Sequence, residues 1–437
     1  MLPSSVQKNI SLVESIYGPA ECGFGLCGQG PLAERWRSLA EYILEWFYCP
    51  DLDALRLVYS AICAHYAIPD KPAWFFLLGD SGTGKTALAI EPCKNLYRSH
   101  ILSQVTRAAF LSGYKSDSAE KGLLQMGENS KTMLWMFKDF TTLISKPHQE
   151  VMEIASIFRE VWDGNVTKKT GMGNTGWTGR VTTIAAGTPQ VERYWSRFRM
   201  LGERFINVRW KTPPDRIEAM RWVNRQAPHR DAVSLELRDR VEKLFSTAWI
   251  SDLRANPPKL AASNEDFEES LLHTVDMVAL LQTPVERDIR NRIKFVAQAE
   301  FPSRLAAAAQ YVAKGHLIMS GRPQIGPPEL RLVRKLLMDA IPHHRKVILD
   351  TLPWDGTPMT RPDLCKASRI PKSSLYEEVE ELVELGIIQQ THHLEPVITW
   401  TDDFLLRLHQ SQMITTALPT ATPTAFAAAT APHPTLH

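Results

Sequence analysis

Eight residues, Gly79–Thr86, restrict the possible folds more than any other part of the chain. They read Gly-Asp-Ser-Gly-Thr-Gly-Lys-Thr, follow the apolar segment Trp74–Leu78 and precede Ala87–Tyr97, which has helical spacing. In this pattern glycines let backbone amides point at phosphates, while the lysine binds phosphate and the final threonine binds Mg²⁺. The sequence therefore predicts an α/β fold that binds ATP and Mg²⁺. The predicted nucleotide ligands are Gly79, Asp80, Ser81, Gly82, Thr83, Gly84, Lys85 and Thr86.

Further apolar segments alternate with helical stretches, which is typical of a layered parallel sheet. The segments with strand composition are Ala109–Ser112, Thr132–Phe137 and Arg180–Ala186. Asp139 follows the second of them and is the Walker B candidate. We expect it at the end of a strand adjacent to the phosphate-loop strand, where a carboxylate holds the water shell of the metal. Thr86 and Asp139 are thus the predicted Mg²⁺ residues.

The residue after Asp139 departs from the usual hydrolase pattern. Phe140 stands where a glutamate would orient the attacking water. Glu153 and Glu160, on the following helix, are candidates for that role, and the alternative is that both are ordinary solvated glutamates. The catalytic base is therefore displaced or missing.

Composition and periodicity divide the chain into five predicted regions. They are a helical N-terminal region (1–66), a parallel-sheet core (67–212), a helical region (213–343), a unit of short helices with a strand pair (344–412) and a disordered tail (413–437). The tail consists mainly of Ala, Thr and Pro without periodicity.

Charge and cysteine content restrict the possible nucleic-acid contacts and the cellular location. Lys and Arg number 50 and Asp and Glu number 48, so the formal net charge is +2. Any nucleic-acid contact must then come from local patches, because no overall basic field exists. The six cysteines form no dense disulfide framework, which favours a reducing, cytoplasmic location. Neither a secretion signal nor a membrane span is predicted.

From about Ala73 to Asp350 the order of motifs resembles the AAA+ superfamily, most closely its minichromosome maintenance-like helicases of phages and mobile elements. In that family a helix leads into a β-hairpin, and a strand with a polar end follows. Phe158–Gly171 and Trp177–Pro189 have this layout, and Leu201–Val208 contains a Gly-Glu-Arg-Phe segment. The resemblance implies an AAA+ core over 67–212 and a helical lid over 213–343.

The resemblance also implies roles for single residues. Thr188 would be the first sensor of the γ-phosphate, and the alternative is a turn residue before Pro189. Arg204 would reach into the nucleotide site of a neighbouring subunit, with a structural ion pair as the alternative. Arg304 would be the second sensor, at a helix start where a positive charge is unfavourable unless an anion answers it. The predicted catalytic residues are Lys85, Asp139, Thr188, Arg204 and Arg304.

Two lysines are candidates for DNA contact. Lys168 and Lys169 precede the glycine-rich segment Gly171–Gly176, which has the composition of a hairpin tip. In the resembling family this hairpin lines a central pore, where lysines touch phosphates without reading bases. The alternative is that the pair only solvates a loop.

The region 344–412 looks like a winged helix. Helices are predicted over Arg345–Leu352, Arg361–Ala367 and Pro371–Gly386, and Ile387–Trp400 has strand composition. The third helix has an exposed acidic face that would repel DNA, formed by Glu377, Glu378, Glu380, Glu381 and Glu384. Its start carries the only candidates for DNA contact, Arg369, Lys372, Ser373 and Tyr376. Both a DNA-reading and a protein-binding or regulatory winged helix remain open.

The leading functional expectation is an ATP-driven DNA helicase or translocase that forms a hexameric ring in replication of a phage or mobile element. A replication initiator, helicase loader or transposition regulator that binds DNA under ATP control is the alternative, which the absent glutamate favours. A signalling ATPase is a third reading. The expected partners are DNA, further copies of the chain and other replication proteins.

Overall fold

The computed structural model describes residues 30–103, 105, 107–110, 122–125, 131–170, 173–194, 204–213, 215–258, 265–391 and 396–411. The predicted tail 413–437 and the first part of the region 1–66 lie outside these residues. The strands are β1 (Trp74–Leu78), β2 (Ser99–Leu102), β3 (Thr132–Phe137), β4 (Asn165–Thr170), β5 (Gly173–Thr178), β6 (Arg180–Gly187), β7 (Phe205–Arg209), β8 (Val285–Arg287), β9 (Ile293–Val296), β10 (Met359–Thr360), β11 (Ile388–Gln390) and β12 (Val397–Trp400).

The α-helices of the described residues follow in the same chain order. They are α1 (Pro31–Trp46), α2 (Leu52–Ala67), α3 (Arg107–Phe110), α4 (Thr141–Ile144), α5 (His148–Asp163), α6 (Arg216–Gln226), α7 (Arg230–Leu244), α8 (Thr247–Ala255), α9 (Glu265–Gln282), α10 (Ser303–Ser320), α11 (Pro327–Ala340), α12 (His343–Thr351), α13 (Arg361–Ser368), α14 (Lys372–Glu384) and α15 (Asp402–Gln410). None of them is long and apolar enough to cross a bilayer.

Five strands form a parallel sheet in the order β2-β3-β6-β1-β7. All residues of β1 are buried. Phe75 and Leu77 belong to a core cluster on one face, whereas Trp74, Phe76 and Leu78 belong to a second cluster on the other face. This burial on both faces explains the unbroken apolar run that predicted a strand. The α/β class with a parallel sheet is confirmed.

Helices cover both faces of this sheet. On one face α2 is buried from Leu52 to Tyr66 and packs with α1 and α10 in the larger cluster. On the other face Phe158 of α5 packs among aromatic rings, including Phe76 and Phe205, which stack with centroids 4.2 Å apart. The sheet is therefore a rigid frame that holds the loops at its two edges.

The helices after β7 are joined closely to the N-terminal helices. A Cβ built on Gly315 of α10 would lie 2.1 Å from the Ser60 carbonyl oxygen of α2, so only glycine permits this crossing. Lys335 of α11 binds Asp51, the N-cap of α2, at 3.0 Å and Asp339 at 2.9 Å. A buried ion network thus complements the apolar contact.

Near the phosphate loop one predicted element is wrong and a second differs in helix type. Ala109 and Phe110 belong to the short helix α3 and not to a strand, and Ser99–Leu102 supplies the sheet edge instead. Residues 111–112 lie outside the described range. After the loop the chain is helical, as predicted, but it forms a π-helix (Thr86–Ile90) and then a 3₁₀-helix (Glu91–Cys93) instead of a regular α-helix. Pro92, which lacks an N–H, interrupts the helical hydrogen bonds.

The last described residues form three helices and a small sheet. The predicted helices correspond to α12, α13 and α14, and the strand-rich segment contains β11 and β12. These strands and β10 make an antiparallel sheet in the order β10-β12-β11. Leu375, Val379 and Leu382 are the buried side chains of α14, as predicted for its inner face.

Candidate functional site

The phosphate loop lies at the carboxyl end of β1. Gly79 continues the strand, and its N–H donates to the Gly187 carbonyl at the end of β6 at 3.2 Å. Gly82 and Gly84 have φ of +77° and +88°, the left-handed region that side chains other than glycine rarely adopt. Two of the loop glycines are therefore required by backbone conformation.

Lys85 folds back over the loop. Its Nζ donates to the Gly79 carbonyl at 2.7 Å and the Asp80 carbonyl at 2.5 Å, and the residue is only 7% exposed. Burial lowers the pKa of Lys85, while the carboxylates of Asp80 and Asp139 act to raise it. A desolvated ammonium gains free energy from an anionic ligand, so the geometry suits a phosphate.

Asp139 follows β3 at the same carboxyl edge. We expected the strand before Asp139 to be adjacent to the phosphate-loop strand β1. This expectation is wrong, because β6 lies between β3 and β1. Asp139 is exposed, and its Oδ1 accepts a hydrogen bond from the Thr141 N–H at 2.9 Å, which fixes the carboxylate at the start of α4. Its charge still acts on Lys85, as the pKa of that lysine indicates. The carboxylate and the lysine thus lie at the same edge of the sheet.

Phe140 is part of the hydrophobic core and cannot act on water. Its side chain is fully buried, 5.1 Å from the ring centroid of Phe76, and its N–H donates to the Ala186 carbonyl of β6. Glu153 and Glu160 lie on α5, on the face of the sheet where Phe158 packs. No geometry among the described residues assigns either glutamate to the phosphate loop.

Thr188 ends β6 beside this site. Its N–H donates to Thr141 Oγ1 at 3.2 Å, while its own Oγ1 is buried and has no hydrogen-bond partner among the described residues. A buried hydroxyl without a partner carries a desolvation cost that a ligand oxygen or water would remove. Thr188 is therefore brought to the phosphate-loop edge with one polar atom still available. Thr141, which links it to Asp139, was not foreseen.

Trp210 and Thr212, just after β7, are also loop residues that the sequence did not reveal. The Trp210 indole Nε1 donates to the Thr83 carbonyl at 3.0 Å, and its backbone N–H donates to Leu78. Thr212 Oγ1 donates to the Asp80 carboxylate at 2.8 Å. The available signal was weak, a Trp-Lys-Thr sequence after an apolar strand, and it acquires meaning only once β7 is known to neighbour β1.

Arg204 and Arg304 lie at the opposite edge of the sheet. Arg204 precedes β7, whose first residue Phe205 pairs with Trp74, the first residue of β1. The five residues of β1 span about 17 Å at about 3.3 Å each, which separates the two edges. Arg204 and Arg304 instead share a cavity of about 330 Å³. The structure brings these two together, but not with Lys85.

The Arg204 side chain is held within that cavity. It is 10% exposed, its Nη2 lies 3.6 Å from Asp163 Oδ2, and its guanidinium carbon lies 5.3 Å from the Trp162 ring centroid. Burial lowers the pKa of Arg204, and the neighbouring Arg304 lowers it further. Arg304 forms an ion pair with Glu300. The ion pair that the sequence left as an alternative is thus present for Arg204.

β4 and β5 form the expected antiparallel hairpin, with Lys168 opposite Thr175 and Lys169 opposite Asn174. The side chains of the two lysines and the connecting residues 171–172 lie outside the described part. The hairpin enters from α5 and leads directly into the amino end of β6. Its base therefore lies at the same edge of the sheet as Arg204.

Two basic residues of the C-terminal unit lie against one aromatic ring. Lys372 Nζ is 5.6 Å and the Arg361 guanidinium carbon 4.8 Å from the Tyr376 ring centroid. Arg369 is exposed and ends α13 with a φ of +56°. Arg361 was missed, because in the sequence it only opens a helix. Cations on a half-buried aromatic ring can contact phosphate while the ring orients them.

We predicted that the glutamates of α14 form an exposed acidic face. This prediction is wrong for most of them, because they pair with arginines. Arg287 of β8 binds Glu381 and Glu380, each at 2.9 Å, and Arg345 of α12 binds Glu381 at 2.8 Å. Glu378 also pairs with Arg345, at 3.3 Å. Burial raises the pKa of Glu378, but hydrogen bonds and charges from His344 and Arg345 lower it more, so its net shift is downward. This face holds the C-terminal unit to the rest of the chain.

Comparison with known proteins gives no family assignment. No protein-family model matches the chain, and no curated protein matches it. The site is therefore defined by geometry, with Lys85, Asp139 and Thr188 at the carboxyl edge of the sheet and Arg204 and Arg304 at its amino edge.

Proposed function

We propose that the protein is an AAA+ ATPase that assembles into a hexameric ring and moves along DNA as a helicase or translocase, in replication of a phage or mobile element. One observation carries the proposal. The residues suited to an ATPase divide between the two edges of one parallel sheet, with Lys85, Asp139 and Thr188 at one edge and Arg204 at the other.

The carboxyl edge fits ATP and Mg²⁺. The left-handed glycines and the buried Lys85 would hold the phosphates, and Thr86 and Asp139 would hold the metal. Thr188 Oγ1 supplies a polar atom that has no hydrogen-bond partner among the described residues. When bound, Mg²⁺ neutralises charge on the phosphates. Lys85 would exchange the loop carbonyls for phosphate oxygens, and Trp210 would keep the loop in shape during that exchange.

The position of Arg204 supports assembly. An arginine at the amino edge cannot serve the nucleotide at the carboxyl edge of its own sheet, about 17 Å away by strand length. It can serve a nucleotide held by another copy, where a guanidinium stabilises charge on the transferred phosphoryl group. The hairpin β4–β5 starts at the same edge, so nucleotide contacts between copies would move the segment with Lys168 and Lys169.

The C-terminal unit is proposed as a winged helix. Its three helices and antiparallel strands support that assignment. Since Glu378 and Glu381 are paired internally, the acidic side of α14 docks on the protein and leaves Arg361, Arg369 and Lys372 as the basic surface. This arrangement favours DNA contact through the start of α14 more than the sequence alone did.

A second function is favoured by Phe140. With a core residue in place of the water-orienting glutamate, hydrolysis would be slow, which suits an initiator, loader or transposition regulator that binds DNA in its ATP state. In this alternative hydrolysis resets an assembly without unwinding. No feature of the described residues favours the signalling ATPase.

A forked DNA substrate separates these functions. Purified protein with ATP and Mg²⁺ should show hydrolysis stimulated by DNA and displacement of one strand, and Lys85→Ala should abolish both. Hydrolysis stimulated by DNA without displacement would support the ATP-controlled switch. Protein that neither binds nor hydrolyses ATP would contradict both functions.

A further inference from the structure

Trp162, at the end of α5, gathers three cationic side chains around its ring. Lys71 Nζ lies 4.6 Å from the ring centroid, and the guanidinium carbons of Arg204 and Arg304 lie 5.3 Å and 5.5 Å from it. The three come from the loop before β1, the residue before β7 and the first turn of α10. An indole ring attracts cations within about 6 Å. One side chain therefore orders charges from three separate segments.

Charged groups of both signs act on Arg204. Arg304 and Arg159 act on Arg204 as like charges, and Asp163 and Glu300 are the carboxylates that act on it. Among the described residues, Lys71, Arg204 and Arg304 are the cations on the ring, and Asp163 and Glu300 pair with the two arginines. The side chains of Asp163 and Glu300 are 53% and 40% exposed, so water screens them. An anion would stabilise three cations that share one ring.

The cluster lines an open cavity of about 330 Å³, which is large enough for a small polyanionic group. Ser303 and Arg304, the first residues of α10, form part of its wall, and no side chain caps this helix start. The N-terminal amides of the 18-residue helix add positive potential to that of the side chains. Lys71 is exposed and can reach an incoming ligand.

We propose that Lys71 is a third cation, beside Arg204 and Arg304, of a site for the terminal phosphates of a nucleotide held by a second copy, and that Trp162 is the positioning residue that orders all three. The inference rests on the proposed function and adds Lys71, Arg304 and Trp162 to it. Lys71 would contact the phosphates directly. Trp162 would act only through the cations that it holds.

Variants at Lys71 test the contact. Lys71→Met should lower kcat for ATP hydrolysis at least tenfold with KM changed less than twofold, because the phosphate loop is untouched. Lys71→Arg should retain most of the rate, and Lys94→Met, at an exposed lysine in another part of the chain, should change neither constant. Mixing Lys71→Met with Lys85→Ala subunits should restore hydrolysis, since the second variant supplies an intact cavity. A normal hydrolysis rate for Lys71→Met would overturn the proposal. So would a failure of Lys85→Ala subunits to restore the activity of Lys71→Met when they do restore that of Arg204→Ala.

Variants at Trp162 test the positioning role. Trp162→Phe keeps an aromatic face and should retain more activity than Trp162→Leu, which should reduce kcat as Lys71→Met does. Equal rates for the two variants, with equal thermal unfolding, would show that the ring does not order the cations. Thermal unfolding of every variant separates loss of the fold from loss of the site.

Binding measurements keep this inference separate from the proposed function. In the Lys85→Ala background, calorimetry with inorganic tripolyphosphate should detect binding that Lys71→Met reduces at least fivefold, whether or not the wild type hydrolyses ATP. Undiminished binding would contradict the cavity site. A Lys71→Met variant that loses affinity for single-stranded DNA but hydrolyses ATP normally would assign the cavity to nucleic-acid phosphates and overturn the nucleotide site.

Discussion

The Trp210 indole donates a hydrogen bond to the Thr83 carbonyl at 3.0 Å, so the residue after β7 supports the tip of the phosphate loop. A Cβ built on Gly79 would lie only 2.9 Å from Trp210 Cβ, so Trp210 leaves no room for a side chain at this glycine. The loop is thus held from a neighbouring strand as well as by its own glycines. This contact depends on β7 being next to β1, since more than a hundred residues separate them in the chain.

Replacement of Trp210 by Phe should weaken ATP binding. The Cβ of residue 210 still lies against Gly79, but the Thr83 carbonyl loses its donor. One hydrogen bond of about 1 kcal/mol corresponds to about fivefold in Kd. Titration with a fluorescent ATP analogue measures the change. An unchanged Kd, with the indole bond removed, would show that the loop keeps its shape without it. Trp222→Phe, a buried tryptophan on α6, is the matched control.

Mixing of inactive subunits should restore hydrolysis if Arg204 acts on another copy. We expect Arg204→Ala to lose about 10³ in kcat while binding ATP normally, as for other arginines that act across an interface. Lys85→Ala should not bind ATP. Random mixing in equal amounts should give about a quarter of the wild-type rate, because that fraction of interfaces has both groups. If the mixture of the two variants remains inactive, Arg204 serves only the structural ion pair with Asp163.

Removal of both hairpin lysines should flatten the salt dependence of DNA binding. Each phosphate contact adds about 0.7 to the slope of log K against log salt for single strands, so Lys168→Ala with Lys169→Ala should reduce the slope by about 1.4. Fluorescence anisotropy at several salt concentrations gives the slope. The pair Lys94→Ala and Lys314→Ala removes the same charge elsewhere and should leave it nearly unchanged. An equal slope in the hairpin variant would exclude the hairpin from the DNA path.

Stability should fall as the pH is lowered from about 7 to 5, in part through His65. Burial lowers the pKa of His65 well below its usual value, with Arg180 and Arg254 acting in the same direction. The unfolded chain therefore binds a proton near pH 6.5 that the folded chain does not, and stability is complete above this pH and lost below it. His65→Gln should reduce the slope of unfolding free energy against pH by up to about 1.4 kcal/mol per unit. Urea denaturation between pH 5 and 7.5 measures this.

Other histidines shift the same curve and supply the control. His344 has its pKa raised, chiefly by a hydrogen bond to Glu378, so its stabilisation is present below pH 6.5 and lost as the pH rises through its folded pKa. His344→Gln should therefore make the unfolding free energy fall more steeply as the pH is lowered, whereas His65→Gln should make it fall less steeply. If His65→Gln leaves the slope unchanged, His65 binds its proton equally in both states.

A methyl group at Gly315 should destabilise the whole chain. Alanine there would place Cβ 2.1 Å from the Ser60 carbonyl, so α10 and α2 must separate. We expect a loss of about 1–3 kcal/mol or more in unfolding free energy. Gly176→Ala is the matched control, since its Cβ would meet only Val166 O, at 3.6 Å. Equal midpoints in urea denaturation would show that the helix crossing relaxes without cost.

Local patterns predicted the elements whose burial is uniform. β1, β3 and β6 are apolar along most of their length, and the phosphate loop and its glycines follow a fixed spacing. Ala109–Phe110 misled because a short apolar run fits a strand and a buried helical turn equally well. Chain patterns therefore gave the class of fold and one edge of the site.

Relationships between distant segments were beyond the sequence. β6 inserts between β1 and β3, and this order decides what Asp139 and Trp210 can reach. Likewise the pairing of Glu381 with Arg287 and Arg345 depends on how α14 packs, so an acidic helix face that is predicted as exposed is in fact an internal contact. Trp162 stayed unnoticed because its three cations are far apart in the chain.

The placement of Lys85 and Arg204 at opposite ends of one sheet gives self-association a direction. If the Arg204 end of one copy completes the nucleotide site at the Lys85 end of the next, two copies form only one complete site. One Lys85 end and one Arg204 end of the pair then have no neighbour. Adding copies extends the row without removing those ends. Only circular closure lets every nucleotide be completed, so activity per subunit should rise steeply with protein concentration until circles form.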